Sequence, residues 1–151
     1  MSHEDVDLAR AQYARWNSED FDAWINGFDP DVQYFSSVSA SLDGQGEFHG
    51  HEGMRRFVES YLEAWEWFRL QPVEFVDAGD QLAVVLTTSG RGRGSGAMVE
   101  GKVAHVWTFR NRRATQCLSY ASREEALKAG GKIKFHKTKG VRPNRRRSSP
   151  R

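Results

Sequence analysis

The chain has 151 residues, enough for one domain with a large apolar core, which its five Trp, nine Phe and four Tyr can fill without a metal or disulfide. Its single cysteine, Cys117, excludes an internal disulfide and a zinc site built from several cysteines. Residues 132–151 hold nine of the 22 basic residues and no acid, which leaves 13 basic against 20 acidic residues elsewhere. An acidic body argues against a nucleic-acid-binding surface on the fold itself.

No targeting or membrane segment is recognisable in the sequence. The N-terminal residues contain no basic stretch followed by an apolar run, which a signal peptide would have. No apolar run approaches the ~20 residues that a membrane span needs. Together with the lone cysteine, these features predict a cytoplasmic protein without a membrane partner.

Three helices and a first strand are predicted in the N-terminal half. An apolar stripe at helical spacing predicts a helix over residues 4–17. Ser18 is predicted to cap a second helix, which Asp29-Pro30-Asp31 ends. A strand follows over Val32–Ser37, and the polar residues 39–50 predict a loop. The clearest amphipathic pattern predicts a third helix over about residues 51–67.

After Pro72 the apolar residues change from helical to alternating spacing, which predicts strands. The predicted strands cover residues 73–76, 81–88, 97–110 and 114–121. A final helix is predicted over residues 123–129, capped by Ser122 and ended by Gly130-Gly131. The order predicts an α+β fold, with about three N-terminal helices packed on a strongly curved, mainly antiparallel sheet. We expect one domain over residues 1–131 and a disordered basic tail over 132–151.

The stretch Val103–Arg110 carries the strongest functional signal in the chain. Alternation places Val103, His105 and Trp107 on one strand face, and neither face of this strand is polar, so both are expected to be covered. A buried imidazole must find a hydrogen-bond partner or line a pocket. His105 is therefore a candidate general acid or base, with a pocket-lining or plain core histidine as the alternatives.

Other candidate sites in the sequence are weaker. Cys117, on the last predicted strand, is either a nucleophile with His105 as its base or a small buried apolar residue. His49 and His51 lie two residues apart in a predicted loop, which is insufficient for a metal site, so no metal is predicted. The glycine-rich residues 90–96 lack the ending of a phosphate loop and predict a flexible hairpin.

Several stretches, taken in this order, resemble the SnoaL-like branch of the NTF2-like superfamily, which includes polyketide cyclases and relatives of ketosteroid isomerase. They are Asp20–Trp24, Phe28–Val32, His49–Phe57, Asp77–Asp80, Val106–Arg110, Tyr120 and Arg123–Leu127. The resemblance implies a cone-shaped α+β barrel with an internal apolar pocket and a homodimer formed through the sheet. Members of this superfamily include isomerases, cyclases, dehydratases and non-catalytic binding proteins.

The resemblance also assigns positions within the pocket. Ser36 stands where the isomerases carry a carboxylate base, and a serine hydroxyl is too weak a base for that role. His105 stands where they carry a carboxylic acid, and Tyr13 lies near their tyrosine donor; ketosteroid isomerase is a standard example of such pKa tuning. If the chain is an enzyme, the expected chemistry is isomerisation, cyclisation or dehydration near a carbonyl. His105 would then carry the proton and Tyr13 would donate to an oxyanion.

The predicted pocket takes a small, largely apolar ligand with one or two polar groups, and no cofactor is implied. Its predicted substrate-binding residues are Trp16, Tyr34, Ser36, Phe57, Trp107, Cys117 and Ser119. The alternative is a non-catalytic ligand-binding module or a dimeric scaffold of the same fold, which the missing carboxylate favours. Nucleic acid is an expected partner only through the basic tail 132–151.

Overall fold

The computed structural model describes residues 3–136. Within this range there are five helices: α1 (His3–Asn17), α2 (Phe21–Asn26), α3 (Ser37–Asp43), α4 (Gly50–Ala64) and α5 (Arg123–His136). The same residues form six strands: β1 (Phe28–Phe35), β2 (Glu47–His49), β3 (Trp65–Ala78), β4 (Gln81–Gly92), β5 (Met98–Arg110) and β6 (Arg113–Tyr120). They form one sheet in the order β2-β1-β6-β5-β4-β3, in which β1 and β6 are parallel and all other neighbours are antiparallel. The predicted α+β fold with a mainly antiparallel sheet is confirmed.

The helices cover both faces of the sheet. The main core lies on the face where α1, α2 and α4 contribute buried aromatic and aliphatic side chains. On the opposite face, Ala126 of α5 packs against Ala104, Val106 and Tyr120. Ser122 begins α5 as predicted, because its hydroxyl accepts a hydrogen bond from Glu125 N at 3.1 Å. In the described part of the chain, no helix is long and apolar enough to cross a membrane.

Helix α4 follows directly from the sequence pattern. Its buried face consists of Met54, Phe57, Val58 and Tyr61, which recur every three or four residues. The Arg93 guanidinium donates to Leu62 O and Trp65 O, at 2.9 and 3.0 Å, and so satisfies carbonyls at the C-terminal end of the helix. The glycine-rich hairpin thus contributes a helix cap.

The second helix begins later and ends earlier than the sequence suggests. Its N-cap is Asp20, which accepts from Ala23 N at 3.4 Å, whereas the Ser18 hydroxyl donates to Arg15 O. The helix ends before Gly27, and strand β1 then runs through Pro30. The strand accommodates a residue that has no N–H because its pairing with β6 is irregular between Phe28 and Gln33.

The predicted loop over residues 39–50 is wrong, because it contains most of α3 and all of β2. Local capping explains α3: Ser36 Oγ accepts from Ser39 N at 3.1 Å, and Gly44 ends the helix with a φ of 80°. Strand β3 is also much longer than predicted and takes up Trp65, the end of the predicted third helix. Strand β3 lies at the edge of the sheet and has a register shift at Pro72, so it tolerates a proline, which has no N–H to donate.

The predicted end of the last helix at Gly130-Gly131 is wrong, since α5 continues to His136. A glycine can also adopt the helical conformation, and α5 passes through this pair without ending. Apart from residues 132–136, the predicted basic tail lies outside the described residues. The division into a domain over 1–131 and a tail stays a prediction.

Candidate functional site

A cavity of about 310 Å³ lies between the main helical layer and the sheet. Its wall is mostly aromatic and aliphatic, with hydroxyl groups and one imidazole among the apolar groups. The aromatic lining residues are Trp16, Tyr34, Phe57, Tyr61, Trp65 and Phe68, and the polar ones include Ser36, Ser39, Ser60, Thr88, His105 and Ser119. Glu63, which is exposed, is the charged residue among those that line the described cavity. Such a space suits a small, mainly apolar molecule.

Six of the nine predicted site residues meet at this cavity: Trp16, Tyr34, Ser36, Phe57, His105 and Ser119. They come from α1, α4 and three strands, and the sheet register explains their proximity. His105 on β5 lies opposite Ser119 on β6, and Phe35 pairs with Leu118, so Ser36 is level with Ser119. Three others, Tyr13, Trp107 and Cys117, do not line the cavity.

His105 lines the cavity, and a chain of hydrogen bonds behind the wall holds its ring in place. The Tyr13 hydroxyl lies 2.7 Å from His105 Nδ1 and accepts a hydrogen bond from Trp107 Nε1 at 2.8 Å. Burial lowers the pKa of His105 from 6.5 to about 4, because the charged imidazolium loses its hydration. The imidazole is therefore neutral at pH 7.

The structure corrects the positions of Tyr13 and Trp107. Tyr13 is buried and is not among the residues that line the cavity, and both hydrogen bonds of its hydroxyl are to protein groups. The Trp107 ring packs against Tyr13 and stacks on Phe28 and Phe109, with centroids 6.0 and 5.3 Å away. Trp107 therefore belongs to the core, although it shares a strand face with His105.

Cys117 is also a core residue and does not contact the cavity. Its side chain is fully buried, and its register partners are Trp107 and Tyr34, whereas His105 lies opposite Ser119. Burial raises the pKa of the thiol well above its usual value, so the reactive thiolate is disfavoured. The structure favours the small buried apolar residue over the nucleophile.

The two predicted serines have structural partners. Ser36 Oγ caps α3, and Ser119 Oγ lies 2.8 Å from Ser37 Oγ. Ser37 was missed in the sequence because nothing there indicates that it meets a residue 82 positions away. The two bonds fix α3, whose Val38 and Leu42 line the cavity, over this part of the site.

Tyr34, one of the predicted substrate-binding residues, brings a polar group as well as an aromatic ring to the cavity wall. Burial raises the pKa of its hydroxyl well above the usual value, and none of the described residues forms a hydrogen bond with that hydroxyl. The wall formed by Trp65 and Phe68 was missed because Trp65 falls within the predicted third helix and Phe68 directly follows it. Gly90 leaves room for the Phe68 ring, since a Cβ on this glycine would lie 2.5 Å from the ring.

The two loop histidines do not form a metal site. His51 Nε2 lies 2.7 Å from Phe28 O, and His49 precedes α4 without capping it through its side chain. Among the residues that the structure describes, no group of three His, Cys, Asp or Glu side chains is placed to hold a metal ion.

Comparison with known proteins gives a family match and several similar folds. The SnoaL-like domain family model matches residues 9–117, and no curated protein sequence matches the chain. An NTF2-like protein of unknown function from Burkholderia pseudomallei K96243 is 26% identical, with a TM-score of 0.71 over 85% of this chain and 97% of that one. TerC, co-crystallised with polyporic acid, is 23% identical, with a TM-score of 0.69 over 83% and 98%.

A third solved structure extends the similarity. It is a protein with a ketosteroid isomerase-like fold from Catenulispora acidiphila DSM 44928, in complex with trimethylamine. It is 18% identical, with a TM-score of 0.66 over 82% of this chain and 92% of that one. The resemblance and the fold class predicted from the sequence are therefore both confirmed.

Proposed function

Since the chain belongs to the SnoaL-like domain family, we propose that it binds a small, largely apolar molecule in the cavity beside His105. The observation that carries this proposal is an aromatic cavity of about 310 Å³ with a neutral, oriented imidazole in its wall. Apolar walls supply most of the binding free energy of such a site, and a few polar groups orient the ligand.

The reaction class we propose is isomerisation, cyclisation or dehydration by proton transfer next to a carbonyl group. His105 is the proton carrier, because it is the imidazole that lines the described cavity and Tyr13 fixes its orientation. Tyr13 acts through His105 as a positioning residue. The family resemblance implies no cofactor, and the proposal includes none.

The second candidate is a non-catalytic binding module of the same fold. One observation favours it: Glu63 is the carboxylate among the described lining residues, and it is exposed, whereas the resemblance puts Ser36 at the position of the base. A ligand that binds without chemical change would support this alternative.

A screen of small aromatic ketones should separate the two candidates. Binding is measured by the fluorescence of Trp16 and Trp65, which line the cavity, and turnover by mass spectrometry of the ligand. For a ligand that is turned over, His105→Ala should lower kcat by about 10²–10⁴-fold, the usual contribution of acid–base catalysis. Binding should weaken much less.

The control for this screen is Ser60→Trp, which places a bulky ring at the cavity wall. Ligands of the cavity should lose about tenfold or more in affinity for this variant, because they and the ring compete for the same space. Equal affinity for the variant and the wild type would contradict binding in the cavity. Turnover unchanged in His105→Ala would contradict the proton-carrier role.

We also propose that the chain forms a homodimer through the sheet, as the family resemblance implies. Strands β3 and β5 support this proposal by carrying exposed apolar side chains, among them Val73 at 59% and Met98 at 57% exposure. Sedimentation equilibrium should give the mass of two chains, and a Val73→Asp/Met98→Asp double variant should shift the equilibrium toward one chain. A wild type of single-chain mass would contradict the dimer.

A further inference from the structure

Two polar atoms face the cavity without a protein partner. The side chains of His105 and Tyr34 are 6% and 7% exposed, and no described residue bonds His105 Nε2 or the Tyr34 hydroxyl. Within the described chain, Gln81 Oε1 is the side-chain atom that is sealed from solvent without a partner. The other two atoms therefore reach the open space of the cavity that both residues line. Buried polar groups are normally paired, so these two are available to a ligand.

Counting protons along the hydrogen-bonded chain assigns the tautomer of His105. The Tyr13 hydroxyl accepts from Trp107 Nε1–H, and its own proton has one acceptor within reach, His105 Nδ1. The opposite arrangement, with a proton on Nδ1, would leave the buried Tyr13 hydroxyl proton without an acceptor among the described residues, which is costly. Nδ1 is therefore the acceptor, and Nε2 carries the proton.

We propose that the cavity is a binding site for a neutral, planar aromatic ketone or similar compound, whose oxygen accepts hydrogen bonds from His105 Nε2–H and the Tyr34 hydroxyl. This inference rests on the proposed function, since it names the ligand class of the same cavity. The aromatic side chains in the wall, such as Trp16 and Phe57, favour a planar apolar ring system.

The charge of the cavity wall and the tautomer of His105 further define the ligand. No lysine or arginine is among the described lining residues, so an anionic ligand would lack a counter-ion, and the exposed Glu63 would repel it. With the proton on Nε2, the neutral His105 approaches the ligand oxygen as a hydrogen-bond donor. Tyr13 and Trp107 are positioning residues, since they fix which nitrogen of His105 carries the proton.

The tautomer is tested without any ligand. Nitrogen chemical shifts of the imidazoles in ¹⁵N-labelled protein at pH 7 should show His105 protonated at Nε2 and unprotonated at Nδ1. Tyr13→Phe keeps the ring but removes the proton donor, so the variant should show a mixture of both tautomers. Wild-type protein with the proton on Nδ1 would overturn the assignment, whatever the variant does.

The ligand class is tested with a matched pair, 1-tetralone and its hydrocarbon analogue tetralin, which differ in the ketone oxygen. Wild type should bind 1-tetralone more tightly, by about tenfold for each hydrogen bond to the oxygen. His105→Phe and Tyr34→Phe should each reduce this preference by about that factor and leave tetralin affinity nearly unchanged. Tyr120→Phe, on the opposite face of the sheet, serves as the matched control and should keep the preference.

The outcomes distinguish failure of the oxygen-binding site from failure of the proposed cavity function. If the wild type binds both probes equally and Ser60→Trp weakens both, the proposed cavity function stands but the oxygen site is overturned. If the wild type binds neither probe, the proposed function fails and this proposal fails with it. A preference that survives in both His105→Phe and Tyr34→Phe would assign the oxygen to other groups and overturn the proposal.

Discussion

Phe28→Ala is expected to lower the free energy of unfolding by about 3–5 kcal/mol, the usual cost of deleting a buried aromatic ring. Phe28 is completely buried where α2 passes into β1. Its ring packs edge-on against Trp24 and Tyr34, with centroids 4.9 and 5.8 Å away, and stacks on Trp107. Truncation removes all these contacts and leaves a void that the surrounding rings are too rigid to fill.

Urea denaturation of three variants would check this expectation. Phe28→Leu keeps most of the apolar volume and should lose clearly less stability than Phe28→Ala. Glu59→Ala, at an exposed position of α4, should stay within about 0.5 kcal/mol of the wild type. If Phe28→Ala were no less stable than Glu59→Ala, the Phe28 ring would not contribute to core packing as its burial implies.

The same variant also has a consequence for the site. Phe28 packs against the Tyr34 ring, which lines the cavity, so its removal takes away support behind that ring. We expect Phe28→Ala to hold the Tyr34 hydroxyl less firmly, and so to bind 1-tetralone less tightly than the wild type does. The packing behind Tyr34 is therefore expected to serve the site as well as the stability of the fold.

Elements with a regular apolar period could be predicted from the sequence, whereas elements formed by local capping could not. Helix α4 and strand β5 follow from the spacing of Phe57 and His105 with their neighbours. Helix α3 depends on one side-chain cap from Ser36 and a left-handed Gly44, and a serine followed by a glycine is equally typical of a loop. The start of β3 was missed because Trp65 continues the helical stripe of α4.

The candidate site, too, could be predicted only in part from the sequence. Strand alternation places His105 and Trp107 on one face, but it says nothing about how deep along the barrel each side chain lies. The bond between Tyr13 and His105 joins residues 92 positions apart, and no local pattern predicts such a pair. Which atoms reach the cavity is decided by ring packing, so the roles of Tyr13 and Tyr34 could only come from the structure.

The second large effect is expected in the acid range. Burial lowers the pKa of folded His105 to about 4, while the unfolded chain takes up this proton near 6.5. Because the unfolded chain binds this proton more readily than the folded one, protonation favours unfolding. The contribution of the neutral imidazole to stability is therefore complete above pH 6.5 and is lost as the pH falls from 6.5 toward 4. A difference of this size corresponds to about 3 kcal/mol of unfolding free energy, as an order of magnitude.

Unfolding free energies of wild type and His105→Phe between pH 7 and pH 4 measure this contribution. Carboxylates titrate in both proteins, so the difference between the two pH profiles isolates His105, and the wild type should lose about 3 kcal/mol more than the variant over this range. Parallel profiles would mean that solvent reaches the imidazole and that its pKa is ordinary. That result would also count against the proposed hydrogen bond from His105 to the ligand. The same burial that lowers stability in acid keeps His105, held by Tyr13, a neutral hydrogen-bond donor at pH 7.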